Sequence, residues 1–313
     1  MKTRKYSPEY MTEARRQPIS RELIQKAIEK DLILESRVLS CDDKLTLKLE
    51  LGKNIYGYIP FEELEFTPNN SKVKDVAAIS KVGRHVKFKV LRFETNGDEV
   101  TVHCSRRAAQ EDCYNNFISK KIPGDIIDAR IVRVENYGVF CDIGCGYIAL
   151  LPTNNISVTH VVNPKEFLDG VSRLKVIIQN IDSDGKVQLS HKELLGTWEE
   201  EASKFSKGEI ICGKVLSVEE YGIFIRLSQN LSGLAAIPDK LEVSTGDMVS
   251  IRINNIVKDS LKIKLTIINK LENCKETNKF CYYKTDGNIS EWTYYSNGSK
   301  IMKTSFIGGD NNE

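Results

Sequence analysis

Two four-residue runs define the chemistry open to this chain: Tyr137-Gly-Val-Phe140 and Tyr221-Gly-Ile-Phe224. They recur at a constant offset of 84 residues, inside longer repeats at 123–143 (PGDIIDARIVRVENYGVFCDI) and 207–227 (KGEIICGKVLSVEEYGIFIRL). In each copy an alternating strand runs into an acidic turn and leaves it as a second alternating strand, the pattern of a β-hairpin. With a period of two, Val139, Cys141 and Ile143 share one face, and Phe140 and Asp142 share the other. In the later copy Ile223, Ile225 and Leu227 point inward, while Phe224 shares its face with Arg226. An aromatic ring standing among charged side chains is not core filling. It offers a flat apolar face to solvent, which suits stacking against another ring. The competing reading packs these rings under a neighbouring domain or a connecting helix.

Other chemistries find little support. The eight cysteines, at 41, 104, 113, 141, 145, 212, 274 and 281, include no Cys-x-x-Cys spacing, so neither a zinc site nor a disulfide framework is implied. Cys141 and Cys212 sit inside apolar strand patterns, where a free thiol acts as a small hydrophobe, as suits a reducing cytoplasm. His85, His103, His160 and His191 have no positioned cysteine or carboxylate partner and read as ordinary strand or surface residues. There is no Gly-rich phosphate loop and no nucleophile elbow. The expectation is a protein that is not an enzyme and has no metal and no cofactor.

The chain is 313 residues long, with 41% hydrophobic and 28% charged residues, a globular composition with room for two or three domains. Its net charge of +2 says little, but residues 1–21 hold six basic side chains (Lys2, Arg4, Lys5, Arg15, Arg16 and Arg21) against Glu9 and Glu13. Such an arm favours polyanions or serves as a solubilising terminus. No stretch is apolar enough for a membrane span, and the opening MKTRKYSPEYMTEARRQ has no signal-peptide core. A cytoplasmic protein is expected.

The elements that must position the aromatics follow from periodicity. Ser20 can cap a short helix, RELIQKAIEKD, with an apolar stripe of Leu23, Ile24, Ala27 and Ile28. Five strands follow, among them LTLKLELG, in which Leu45, Leu47, Leu49 and Leu51 alternate with Thr46, Lys48 and Glu50, and a hairpin closed at Asn96-Gly97. Five strands in so short a stretch suggest a small barrel. The pattern repeats from Ile122 to Lys192, with a polar excursion (PTNNISVTHVVNPKEFLDG) between its third and fourth strands, and again from Gly208 to Ile268. LLGTWEEEASKFSK reads as a connecting helix whose Trp198 and Phe205 pack on neighbouring barrels. Beyond Lys270, YYKTDGNI at 282–289 and YYSNGSKI at 294–301 read as two aromatic strands of a small β-meander, with turns at Asp286-Gly287 and Asn297-Gly298. The division is a basic arm and helix (1–30), a first divergent barrel (31–118), a second (119–193), a connecting helix (194–206), a third barrel (207–270) and an aromatic tail (271–313).

These residues resemble the S1 RNA-binding domain, an OB-fold module. The resemblance is carried by the glycine before strand one (Gly124, Gly208), the aromatic-Gly-x-Phe turn, the Gly57-Tyr58-Ile59-Pro60 element and the Leu189-Ser190 close of strand five. It covers roughly 30–270 and implies a mainly β protein of three tandem five-stranded S1-type barrels joined by short helices. The arrangement looks like the short S1-domain proteins of clostridia more than the longer ribosomal protein S1. In this family RNA lies across strands two and three. Carried over by position, that implies RNA contacts from Tyr137, Phe140, Asp182 and Lys186 in the second unit, and from Tyr221, Phe224 and Lys262 in the third. The chain departs from the family at Pro152 and Ala236, where many members have His, and the family's Asp falls on Val257 or Lys258 in the third unit. The first unit departs furthest: its turn, Cys41 to Lys48, holds no aromatic, which implies docking or spacing for that barrel.

The reading that follows is a monomeric binder of single-stranded RNA, chiefly messenger RNA, acting in translation at the small ribosomal subunit, with no membrane partner. The alternative is an adaptor that docks on the ribosome or on an RNA-decay or transcription machine and touches RNA incidentally. The near-neutral charge and the aromatic-free first turn favour the adaptor.

Overall fold

The computed structural model describes residues 5–9, 18–69, 71–238, 241–271, 280–297 and 300–306. Most of the basic arm, including Lys2, Arg4, Arg15 and Arg16, lies outside them, as do Cys274 and Gly298. The first unit begins with α1 (Arg21–Glu29), whose first turn is capped by the Ser20 hydroxyl accepting from the Leu23 N–H at 3.3 Å, and which buries Ile24 and Ala27. It continues through β1 (Ile33–Cys41), β2 (Leu47–Gly52), β3 (Ile55–Ile59), α2 (Asp75–Ile79), β4 (His85–Asn96), β5 (Glu99–Ser105) and α3 (Arg106–Cys113). The second holds β6 (Ile126–Glu135), β7 (Gly138–Asp142), β8 (Ile148–Pro152), α4 (Pro164–Phe167), β9 (Arg173–Ile181) and β10 (Val187–Ser190). The third holds α5 (Trp198–Ala202), β11 (Ile210–Glu219), β12 (Gly222–Ser228), β13 (Leu231–Ala235), β14 (Met248–Val257) and β15 (Lys262–Lys270). A hairpin of β16 (Glu291–Asn297) and β17 (Lys300–Ser305) follows.

Each unit is a closed five-stranded barrel with one topology: the first strand pairs with the second and fourth, and the third pairs in parallel with the fifth. Closure gives every strand an inner face. Leu47, Leu49 and Leu51 fill the first barrel, Val139, Cys141 and Ile143 the second, and Ile223 and Ile225 the third, as alternation predicts. The first strand must serve both sides of the barrel, so it bends. In all three units a bulge falls at the same place, between Val38 and Ser40, Ile131 and Arg133, and Val215 and Ser217. Cys212 departs from its apolar surroundings in the sequence and is exposed, because it stands on the outer side of β11, opposite in sense to the buried Gly213 and Val215.

Successive barrels dock through one recurring joint: the segment joining strands two and three packs against whatever precedes its barrel. In the first, the Ile19 N–H donates to the Leu51 carbonyl at 2.7 Å. In the second, Asp142 accepts from Gly144 N–H and Gly146 N–H at 2.9 and 3.0 Å and from Glu9 N–H at 2.7 Å. Arg106, fully buried, donates to Glu9 at 2.9 Å and to the Gly146 carbonyl at 3.3 Å. A Cβ on Gly146, at φ +77°, would meet that guanidinium at 1.9 Å, so the joint admits no side chain there. In the third barrel Asn230 accepts from Val158 N–H at 2.8 Å and donates to the Lys192 and Gly196 carbonyls at 3.1 and 2.8 Å.

The tail departs from the expected meander. The 282–289 segment forms no strand; it lies beside the start of β6, on the side away from β9, bridging Asp125 to Asn288. Ile126 N–H donates to the Gly287 carbonyl and Ile289 N–H to the Gly124 carbonyl, both at 2.9 Å. Gly124, at φ +93°, shares a left-handed backbone with its counterpart Gly208 at +88°, and a Cβ on Gly124 would also stand 2.2 Å from the Ile289 carbonyl. The β16–β17 hairpin then puts Trp292 and Tyr294 into the third barrel's core beside Trp198. The tail is a clasp over two barrels.

His191, read from the sequence as an ordinary strand or surface residue, is completely buried beneath this clasp, edge-on to Phe280 and Tyr282 at 4.8 and 5.6 Å. Its Nδ1 faces the Ile156 carbonyl at 2.8 Å and must donate; Nε2 then accepts from the Tyr282 hydroxyl at 3.3 Å, which itself accepts from Lys175 N–H. Burial pushes the imidazole down from 6.5 to about 4. The unfolded chain therefore takes up a proton at this residue that the folded one refuses, so the part of the stability that depends on His191 falls as pH drops below 6.5. The expected loss is roughly 2 kcal/mol between pH 7.5 and 5. Urea unfolding of the parent and of His191→Gln across that range checks it: the variant should lose this part of the slope, and equal slopes would place its source elsewhere.

Candidate nucleic-acid interface

Strand register sets a row of outward side chains across each barrel. In the second barrel Arg133, Phe140, Leu150 and Gln188 are successive cross-strand partners on β6, β7, β8 and β10. In the third the row is Ser217, Phe224, Leu234 and Lys264. Phe140 and Phe224 are half-buried, whereas the turn tyrosines are open: Tyr137 is 62% exposed and Tyr221 71%. In both barrels the tyrosine meets the phenylalanine edge-on, at 6.0 Å and 88° in one and 6.1 Å and 85° in the other. Two sites with the same ring types in the same geometry argue against incidental packing. Neither phenylalanine belongs to a barrel core.

The surroundings of the rings differ. The Arg133 guanidinium lies 4.5 Å from the centre of Phe140, a cation over the ring face. The corresponding Ser217 leaves Phe224 uncovered from that side. Arg226, placed by alternation beside Phe224, is no part of the open surface: it is 5% exposed, its guanidinium 4.5 Å from the centre of Phe167 on α4. Close by, Lys214 pairs with Glu166. The second barrel thus covers one end of the third barrel's outer face.

Asp182 forms the β9–β10 turn, its carboxylate accepting from Lys186 N–H at 2.7 Å. Lys186 is exposed and pairs with Asp184 at 3.2 Å. It stands two residues before Gln188, as Lys262 stands two before Lys264, so both lysines sit at equivalent places beside their rows. Lys186 and Ile148 also line a cleft shared with Phe66 and Pro68 of the first barrel. In the third barrel Val257 is opposite Lys262, so a valine takes the place of Asp182. The structure thus gathers Tyr137 and Phe140, and Tyr221 and Phe224, into pairs, with Lys186 and Lys262 at the flank.

Arg133, Leu150, Leu234, Gln188 and Lys264 escaped the sequence reading. Arg133 could have been found by counting back from the Tyr137-Gly138 turn, since Glu135 pairs with Gly138 and Val134 with Val139. Gln188 and Lys264 could not, because their parallel pairings join strands distant in sequence.

Residues 120–192 match the family model described as the S1 RNA binding domain. The match spans the middle barrel, and the other two repeat that barrel's topology. Along most of its length the chain is similar to the small ribosomal subunit protein bS1 of Staphylococcus epidermidis, 25% identical over 264 residues that cover 79% of this chain and 64% of that one. It is similar also to bS1 of Rickettsia conorii, 28% identical over 186 residues, 58% of this chain and 31% of that one. The chain spans less than two thirds of the length of these relatives. A solved structure, a multidomain protein with nucleic acid binding domains from Streptococcus pneumoniae, is similar at 12% identity over 78% of this chain and 76% of that one, with a TM-score of 0.25.

If the two phenylalanines serve a surface rather than a core, removing them should leave the barrels standing. Phe140→Ala and Phe224→Ala should each cost no more than about 1.5 kcal/mol, against about 3–5 kcal/mol for Phe88→Ala, whose ring fills the first barrel. Urea unfolding measures both, and equal costs at the three positions would make the outer rings structural.

Proposed function

We propose that this chain binds single-stranded RNA on the outer faces of its second and third barrels, and that it acts in translation at the small ribosomal subunit. The carrying observation is the duplicated Tyr-Phe pair, half open to solvent at matching geometry on two barrels, one of which matches the S1 RNA binding domain model. The named role of the bS1 relatives in the small ribosomal subunit supports the second half of the proposal.

The physical basis is stacking. An unpaired base presents its face to a ring, and each such contact is worth about 1–3 kcal/mol whatever the base. A duplex hides those faces, so single strands should be preferred. With a net charge of only +2, few phosphates are neutralised and salt should weaken binding gently. Two platforms on one chain add through effective concentration. The alternative, an adaptor held to its target by protein contacts, draws on the same near-neutral charge.

Fluorescence anisotropy with a 12-nucleotide oligouridylate and with a duplex of equal length tests the binding. Single-strand affinity should exceed duplex affinity, and Phe140→Ala or Phe224→Ala should lower it roughly tenfold to a hundredfold each. Equal affinity for the two probes sinks the stacking reading. For the site of action, the purified protein should co-sediment with small subunits. Co-sedimentation that survives both substitutions together would favour the adaptor.

A further inference from the structure

The first barrel holds no aromatic in the turn from Cys41 to Lys48, yet its outer face is not bare. Its cross-strand row reads Ser40, Lys48, Tyr58, His103 and Arg92. Lys48 occupies the place that Phe140 and Phe224 hold in the other barrels, and Tyr58 occupies the place of Leu150 and Leu234. The aromatic has moved one strand over, and a cation has taken its former position. One step along β3, Tyr56 points to the same side as Tyr58, and both rings are partly open. The Lys48 ammonium sits 4.1 Å from the centre of the Tyr56 ring and 6.0 Å from that of Tyr58.

We infer that the first barrel carries a second type of single-stranded RNA site, with Tyr56 and Tyr58 as stacking platforms and Lys48 as the phosphate contact. This rests on the RNA-binding reading of the other two barrels. Residues two apart on a strand stand about 6.7 Å apart, so the two rings can each take a base rather than compete for one. The cation already lies over a ring face, where it can pair with the phosphate beside a stacked base. Glu50 faces Tyr56 across the strands, and Glu94 pairs with His103 at 3.3 Å and with Arg92 at 3.6 Å. These carboxylates repel phosphate at the Tyr56 end and on β4, which leaves the strip between Lys48 and Tyr58 for the backbone.

The test uses the full chain and the 12-nucleotide oligouridylate in two backgrounds: the parent, and a variant with Tyr137, Phe140, Tyr221 and Phe224 all changed to Ala. The probing change is Tyr56→Ile with Tyr58→Leu, the residues the second barrel carries at these places as Ile148 and Leu150, so the fold has a precedent for them. The four-Ala variant should keep measurable binding, and the double change should weaken it about tenfold or more. Tyr58→Phe, which keeps the ring, should stay within twofold of its parent. A 4-thiouridine probe should crosslink within Ile55–Ile59 in the parent. The inference is overturned if the double change alters affinity less than twofold in both backgrounds, or if the four-Ala variant binds nothing while the parent binds. Either result leaves the main proposal intact, whereas a parent that binds no single strand removes both.

Discussion

Closing five strands into a barrel forces each strand to divide its side chains between a filled interior and an outer surface, and the rest of this protein follows from that division. The interior is occupied by apolar side chains in all three barrels, with Leu47 and Leu49, Val139 and Cys141, and Ile223 and Ile225 at matching places. The outer row is then free to vary without cost to the core. It carries Lys48 and Tyr58 in one barrel, Phe140 and Leu150 in the next, and Phe224 and Leu234 in the last. One scaffold therefore presents three surfaces of different chemistry at one structural address.

The barrels and the duplicated hairpin were legible because alternation at a period of two is a local property, and so is the Tyr-Gly turn that fixes register. What escaped the sequence was set by partners far along the chain. Asp142 and Arg226 both belong outside by alternation. Both are buried, because the preceding unit covers that end of the strand, with Glu9 and Arg106 over one and Phe167 over the other. His191 reads as an ordinary strand end and is sealed in by residues about ninety positions later. The first barrel's rings were in plain sight as Tyr56 and Tyr58. Their meaning depended on knowing that β3 lies beside β2 with Tyr58 opposite Lys48.

The repeated joint explains why the outer faces are not equally open. The second and third barrels each receive their predecessor at the segment between strands two and three, so one end of each of these platforms is walled while the other, at the turn, stays free. Tyr137 and Tyr221 stand at the free ends. The joints differ in chemistry: an ionic cluster about Arg106 between the first two barrels, and an amide, Asn230, satisfied by backbone partners between the last two. Replacing either by an apolar group would strand buried polar atoms, so these residues fix relative placement more than they add net stability.

The clasp at Gly124 and Ile289 has a consequence for how the chain is made. The second barrel's sequence is complete by Ser190, but the backbone groups of Gly124 and Ile126 find their partners only when Gly287 and Ile289 arrive. At about 5–20 residues per second, the interval between Ile126 and Ile289 leaving the peptidyl-transferase centre is on the order of ten to thirty seconds. Throughout it the start of β6 keeps one side unpaired, and the His191 pocket lacks its cover of Phe280 and Tyr282. The tail thus completes both modules, the second when Ile289 arrives and the third when Trp292 and Tyr294 enter its core, and a chain halted before residue 280 would carry two barrels without their cover.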